Sequence, residues 1–291
     1  MTIDILSDLH IDFYFRKKPT AESIKKLYAP IFTNNKKRNA GDVLIIAGDI
    51  GHKNKQNILV LDLIKEVFEY KYIVCVLGNH DYYLLDKSSV DSYSNDSMLR
   101  VKRMSDMINK REGMYCLDGN VVELEGIRFG GCDSWYDGEY IKQNFDEICP
   151  IWNVRKDDDY INQLWENSLN DANYIYNMNW QEYAQKEKEK IENIYKDVDV
   201  MITHVNPSVK KEHTSLTFRD CETTGFFTFD GSKYLKEGSM KYWVYGHTHE
   251  RAEHDIAGVR CICNPMGYPN ESGSGEWTQV RNIEIFNSGK L

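Results

Sequence analysis

Six prolines in 291 residues supply no Pro-rich linker, and no Gly-rich tract or repeat period replaces one, so nothing marks a boundary between domains. No apolar run reaches the roughly 18 residues of a membrane-spanning helix. The amino terminus runs straight into Ile3-Asp4-Ile5-Leu6, without the basic flank and long apolar region of a signal peptide. The seven cysteines (75, 116, 132, 149, 221, 261 and 263) are odd in number and contain no C-x-x-C pair, which argues against a disulfide framework and a zinc ribbon. Positive charge is also short: 36 Lys and Arg face 45 Asp and Glu, a net charge of -9, which excludes a general nucleic-acid coating protein. These absences predict a cytoplasmic protein of one domain, with no membrane partner.

The apolar runs that do occur are short: Ile3 to Leu6, Val43 to Ala47, Tyr72 to Leu77, Val198 to Ile202 and Tyr242 to Tyr245. They read as buried strands. Helical patterns lie between some of them, at Ile58 to Glu69 and at Met98 to Lys110, where Val101, Met104, Met107 and Ile108 share one face. From about Tyr115 to Phe129 the turns Asp118-Gly119 and Glu125-Gly126 predict an antiparallel meander, and Ala257-Gly258 predicts a further hairpin. Residues 138 to about 197, rich in Asn, Asp, Tyr and Trp, read as a helical insertion that ends in the charged helix Gln181 to Lys196 with a solvated face. The fold class is therefore α/β with mixed sheets.

Five polar clusters follow the apolar runs: Asp8-Leu9-His10, Gly48-Asp49, Gly78-Asn79-His80-Asp81, Thr203-His204 and Gly246-His247-Thr248-His249. They hold five of the eight histidines. Ligands of open α/β sheets bind beyond the carboxyl ends of strands, where all five clusters fall. In an extended segment Asp8 and His10 leave on the same face, so one metal ion can take both. Gly48 permits a sharp turn, and the Asp49 carboxylate can offer one oxygen to each of two cations. Asn79, His204, His247 and His249 add neutral donors. This mixed nitrogen and oxygen set suits manganese first, with iron, zinc or nickel as alternatives.

Two divalent ions offset by Asp8, Asp49 and a bridging hydroxide leave about one positive unit, which attracts a phosphate ester. Such a pair also activates water for in-line displacement. His80 adjoins Asn79 but points elsewhere, free to protonate the departing oxygen, and Asp81 is placed to hold its imidazole.

The order D-x-H, G-D, G-N-H-D, a later H, and G-H-x-H resembles the pattern of calcineurin-like metallophosphoesterases, over nearly the whole chain and with every motif position filled. The resemblance implies a four-layer α/β/β/α sandwich of two mixed β-sheets flanked by helices. It also implies that Asp8, His10, Asp49 and His249 hold one metal while Asp49, Asn79, His204 and His247 hold the other, with His80 as general acid and Asp81 behind it. The run Asn264-Pro265-Met266-Gly267-Tyr268 is similar to the N-P-x-G-Y ending of a cytosolic bacterial and phage branch. Purple acid phosphatases carry a tyrosine ligand three residues after the G-D aspartate. His52 stands there, which disfavours that redox-active subgroup and leaves His52 as an outer candidate ligand.

The expected activity is hydrolysis of phosphodiesters or of a broad set of phosphoesters, with a nucleotide or single-stranded nucleic acid among the candidate substrates. A phosphomonoesterase of nucleotides or phosphoproteins, a nuclease, and last a non-catalytic scaffold are the alternatives. Three further features carry weaker expectations. The basic stretch Arg16 to Arg38 is either a solvated surface or a rim that steers anions. Trp135, Trp152, Trp165 and Trp180 are either core or a lid over the substrate. His213 and Arg219 lie on a loop that could reach a substrate phosphate.

Overall fold

The computed structural model describes residues 1–32, 40–148, 157–269, 271 and 279–285. The expectations that fall on Lys36, Lys37, Arg38, Cys149 and Trp152 lie outside them. Eleven strands are described: β1 (Thr2–Leu6), β2 (Val43–Ala47), β3 (Tyr72–Val76), β4 (Met114–Cys116), β5 (Asn120–Leu124), β6 (Ile127–Gly131), β7 (Val200–Ile202), β8 (Tyr242–Tyr245), β9 (Ala252–Ile256), β10 (Val259–Cys263) and β11 (Arg281–Glu284). One sheet has the order β11-β1-β2-β3-β4 and the other β5-β6-β7-β8-β10-β9. In the first, β1 to β4 are parallel and β11 runs antiparallel. In the second, β6, β7, β8 and β10 are parallel, with β5 and β9 antiparallel at the two edges. Both sheets are mixed.

The strands are apolar runs because both of their faces are covered. Ile3, Ile5, Val43 and Ile45 of the first sheet meet Val200, Ile202, Val244 and Ile262 of the second in one apolar layer. The alternate residues, Leu6, Leu44 and Ile46 on one side and Met201, Trp243 and Cys261 on the other, point outward into a second cluster shared with the helices. Period-2 alternation thus builds the helix/sheet/sheet/helix order. The helices expected from periodicity lie at Asn54–Val67 and Ser97–Asn109, the latter started by the Asp96 side chain accepting from the Met98 N–H. Among the described residues no helix is long and apolar enough to cross a membrane.

Two local readings change. The meander is a single hairpin, β5 to β6, turned by Glu125 (φ 51°) and Gly126 (φ 82°); β4 pairs with β3 in the other sheet, so the chain crosses between sheets at Leu117 to Gly119. Short strands with turn residues between them do not reveal a change of sheet. Between β6 and β7 lie the helices Glu139–Ile148, Asp158–Ser168, Asp171–Tyr174 and Trp180–Ile194. The last keeps the expected solvated face, and on its other face Trp180, Tyr183, Ala184, Ile191 and Ile194 are buried, and so is Glu187, which accepts the Ser134 N–H at 2.8 Å and pairs with Lys190. Trp135 and Trp180 are core residues, and Trp165 packs against them and donates to the Tyr136 hydroxyl.

The layer between the sheets carries the architecture. Ile45→Ala, which empties space at its centre, should lower unfolding free energy by about 2–5 kcal/mol. Urea denaturation would check this, and a loss below about 1 kcal/mol would show that the layer is not tightly packed.

Candidate metal centre

Asp8, His10, Asp49, His247 and His249 share an unusual backbone: their φ angles are 52°, 41°, 54°, 68° and 50°, all left-handed. Non-glycine residues seldom adopt this conformation, and where several do so together the surroundings must enforce it. Asp8 and His10 are therefore not extended, as the D-x-H spacing predicts, because β1 has already ended at Leu6. Their side chains nevertheless converge. The turn is held from both sides: Asp8 N–H donates to Gly48 O and His10 N–H to Asp49 O, while the Met266 and Gly267 N–H groups donate to Ser7 O and Asp8 O.

Two sets of donors result, Asp8, His10, Asp49 and His249 in one and Asp49, His204 and His247 in the other, each with its candidate ligand atoms within 4.8 Å of one another. Asp49 belongs to both. In the first set His10 Nε2 lies 2.9 Å from His249 Nε2 and 3.6 Å from Asp49 Oδ2, and His249 Nε2 lies 3.6 Å from Asp8 Oδ1. In the second, His204 Nε2 lies 3.4 Å from Asp49 Oδ1 and 3.1 Å from Asn79 Oδ1. Adjacent ligands at about 2.0–2.2 Å from one cation sit about 3 Å apart, so these spacings fit a metal ion.

Polar neighbours aim the donors. His204 Nδ1 contacts Ala47 O at 2.9 Å, His247 Nε2 contacts Phe226 O at 2.9 Å, and His249 Nδ1 contacts the Glu271 carboxylate at 2.8 Å. Each contact takes the N–H of one ring nitrogen and turns the other nitrogen inward. Asn79 is held likewise: its amide nitrogen donates to Asp171 Oδ1 at 2.8 Å, so its oxygen faces His204. Gly78 and Gly48 pass directly beneath the cluster. A Cβ on Gly78 would strike Asp49 Oδ1 and His204 Nε2, and one on Gly48 the His204 ring.

Burial and neighbouring charge shift the donors in opposite directions. Burial pushes the Asp8 carboxyl up. Burial acts the same way on Asp49, but the imidazoles around it, His204 foremost, hold it well below the usual carboxylate range. For His204 burial opposes the charged form and the Asp49 carboxylate outweighs it, raising the ring to about 10. Burial takes His247 down to about 3 and His10 well below the usual histidine range. His204 therefore carries the proton that an incoming cation must displace.

His80 joins neither donor set, although its ring lies 4.7 Å from that of His10, and the structure places its expected partner elsewhere. Asp81 does not reach its ring among the described residues: the carboxylate accepts the N–H groups of Gly78, Ile50 and Gly51 at 3.0, 3.2 and 3.2 Å and so pins two loops together. The reason is the short 3-10 helix Asn79–Tyr82, in which Asp81 turns back to cap its own start. His80 Nδ1 lies 2.9 Å from His52 Nε2, and His52 Nδ1 lies 2.6 Å from Asp12 Oδ2. On the other side His80 Nε2 lies 3.3 Å from the Tyr268 hydroxyl. His52 thus contacts His80 instead of joining either donor set. Arg100, buried, donates to His80 O and Gly51 O and fixes the same turn.

A cleft of about 400 Å³ opens above the donors, with Asp49, Asn79, His80 and His247 at its base and Tyr83, Phe218 and Phe227 in its walls. The loop that carries His213 and Arg219 lines it, but through Thr214, Ser215 and Phe218; the His213 ring sits 4.9 Å from that of His254 instead. The sequence reading missed Asp171, Glu271, Asp12 and Arg100. Only Glu271 had a cue, its closeness to the N-P-x-G-Y run.

Two outcomes follow. Manganese affinity should rise with pH by about tenfold per unit below the His204 value, because binding expels that proton; calorimetry at two pH values in buffers of different ionisation heat checks it, and a flat affinity would refute it. Gly78→Ala should abolish metal binding by elemental analysis while leaving the far-UV circular dichroism unchanged.

Comparison with known proteins bears on the family and the fold. The sequence model of calcineurin-like phosphoesterases matches residues 1–251. An uncharacterised protein of Acanthamoeba polyphaga mimivirus is 25% identical over 251 residues, covering 81% of this chain and 82% of the relative. The crystal structure of phosphopantetheinyl hydrolase from Mycobacterium tuberculosis superposes with a TM-score of 0.66 at 18% identity, covering 97% of this chain and 95% of its own, a likeness of fold. The chain belongs to the calcineurin-like phosphoesterase family.

Proposed function

We propose that the chain hydrolyses phosphate esters with two divalent cations, manganese first among them, and that it works in the cytoplasm. The observation that carries this reading is the pair of donor sets sharing the Asp49 carboxylate, with Asp49, Asn79, His247 and His249 lining the 400 Å³ cleft above them. Asp8, His10, Asp49 and His249 would hold one ion, and Asp49, Asn79, His204 and His247 the other. When bound, the ions would lower the pKa of a water and offset charge on the phosphoryl oxygens. Six described cysteines are free and five of them buried, which suits a reducing compartment.

The chain's own residues supply the remaining steps. His80 Nε2 faces the cleft, so a proton held there is placed for the departing alkoxide. Asp12 engages His52 Nδ1, and His52 Nε2 engages His80 Nδ1, which fixes the orientation of the His80 ring and gives it a route for reprotonation. Burial, first among the influences on His80, takes its pKa to about 4, so the proton is easily given up once it is there. Tyr83, which donates to Asp171, walls the cleft and helps to keep bulk water from the ester. Phosphodiesters and phosphomonoesters are both candidate substrates of this reading.

His80→Ala should slow turnover of alkyl phosphoesters by about 10²–10⁴-fold but of nitrophenyl esters far less, since nitrophenolate departs without a proton. Equal losses on both would remove the acid role. His52→Ala should reproduce the same split at smaller size, whereas Asp81→Asn should lower thermal stability without it; steady-state kinetics and a melting curve separate the two.

A further inference from the structure

Asp171 is a carboxylate with almost no exposure, and no described Lys or Arg pairs with it. Neutral donors take its oxygens: Oδ1 accepts from Asn79 Nδ2 at 2.8 Å and from the Tyr83 hydroxyl, and Oδ2 accepts from the Tyr136 hydroxyl at 2.8 Å. A charge buried without a cation is costly, and hydrogen bonds from neutral groups offset only part of that cost. An uncharged acceptor would avoid it, so the charge itself calls for a reason.

The reason lies in Asn79. The two ends of an amide side chain are nearly equal in size, but one only donates and the other only accepts, so its orientation is decided by what it meets. A carboxylate can only accept. Asp171 therefore holds the nitrogen end, whose other contact is the Tyr83 hydroxyl at 3.2 Å, and leaves Asn79 Oδ1 3.1 Å from His204 Nε2, beside the second donor set. An amide at position 171 could donate as well as accept, and would no longer dictate which end of Asn79 faces His204.

The same carboxylate reaches a further donor of that set. Tyr136 lays its ring nearly parallel to that of His247, with centroids 6.5 Å apart and planes 16° apart, and Trp165 of the helix Asp158–Ser168 donates to the Tyr136 hydroxyl. The donors found only in the first set, Asp8, His10 and His249, make no hydrogen bond to a described residue between β6 and β7. Strand-end turns and Glu271 hold them instead. The two sites are thus positioned from different parts of the chain.

The part that positions the second site is lightly built. The helix Asp171–Tyr174 is a single turn, fastened to the core where Tyr174 O accepts the Leu84 N–H at 2.9 Å and Tyr176 O accepts the Ser97 N–H at 3.2 Å. A helix this short is not stable by itself, so its order depends on what it holds. Just before it, Leu169 and Asn170 line the cleft.

We infer that Asp171 is the positioning residue of the second cation site, acting through Asn79, and that it couples an ion there to the helices Asp158–Ser168 and Asp171–Tyr174 while leaving the first site alone. The inference rests on the two-cation reading. A cation on the Asn79 oxygen polarises the amide and strengthens its N–H donation to Asp171; by reciprocity, the ordered helices raise the affinity for that ion.

Manganese titration of the full chain, by equilibrium dialysis with elemental analysis and by electron paramagnetic resonance, tests this. The unmodified chain should take up two ions and give the spectrum of a coupled pair. Asp171→Asn, nearly equal in size, should weaken one ion by about 10–100-fold and leave the other within about twofold, so that at limiting manganese the spectrum becomes that of an isolated ion. Glu271→Gln, beside His249, should weaken the other ion, and the double substitution both. Hydrogen exchange read by mass spectrometry needs no change at position 171: manganese should slow exchange in residues 158–174 of the unmodified chain but not of Asn79→Ala. Should Asp171→Asn not fold, the exchange result decides alone. Equal weakening of both ions, weakening of neither, or protection of residues 158–174 that survives Asn79→Ala overturns the inference. Uptake of a single ion by the unmodified chain would remove the two-cation reading, and this inference with it.

Discussion

The structure depends on making a concentration of buried polar groups tolerable. Asp8, Asp49, His10, His204 and His247 lie against the carboxyl edges of two apolar sheets with almost no exposure, and carboxylates in such a place need a positive counterpart. His204 is such a counterpart, its ring raised to about 10 by the Asp49 carboxylate beside it. The same arrangement accounts for the backbone strain: left-handed turns cost about 1–2 kcal/mol each, and contacts from both sheets hold them so that the polar side chains converge.

Much of the remaining polar structure serves to keep those turns from relaxing. The segment Asn264 to Tyr268 ties the first turn to the second sheet, with the Asn264 side chain donating to Ile5 O and the Gly267 N–H to Asp8 O. Asp81 joins the loops after β2 and β3, and Arg100 reaches across from the helix Ser97–Asn109 to the same loops. Asp171, from the short helix Asp171–Tyr174, fixes Asn79 and the hydroxyls of Tyr83 and Tyr136. The helices between β6 and β7 thus supply a residue that orients the site, which their composition does not announce.

The donors were legible in the sequence because strand ends are chemically conspicuous: short apolar runs terminate, and a glycine with an aspartate, asparagine or histidine follows. Within the Gly-Asn-His-Asp cluster adjacency misled. Asp81 stands next to His80 in the chain, yet the 3-10 turn sends the two side chains apart, and Asp12, 68 positions before His80, is linked to its ring through His52. Hydrogen-bond partners across loops obey the turn geometry and not the order of residues.

By itself the sequence determined the strand and helix periods, the mixed α/β class and which polar residues follow the strands, since burial of both sheet faces imposes continuous apolar runs and polar side chains then collect at their ends. Only the tertiary structure decided that the donors stand on left-handed turns, that Glu125-Gly126 turns one hairpin while β4 joins the other sheet, and that His80 is backed by His52 and Asp12. These features come from contacts between segments far apart in the chain, whose register is fixed by sheet packing and leaves no mark on local composition.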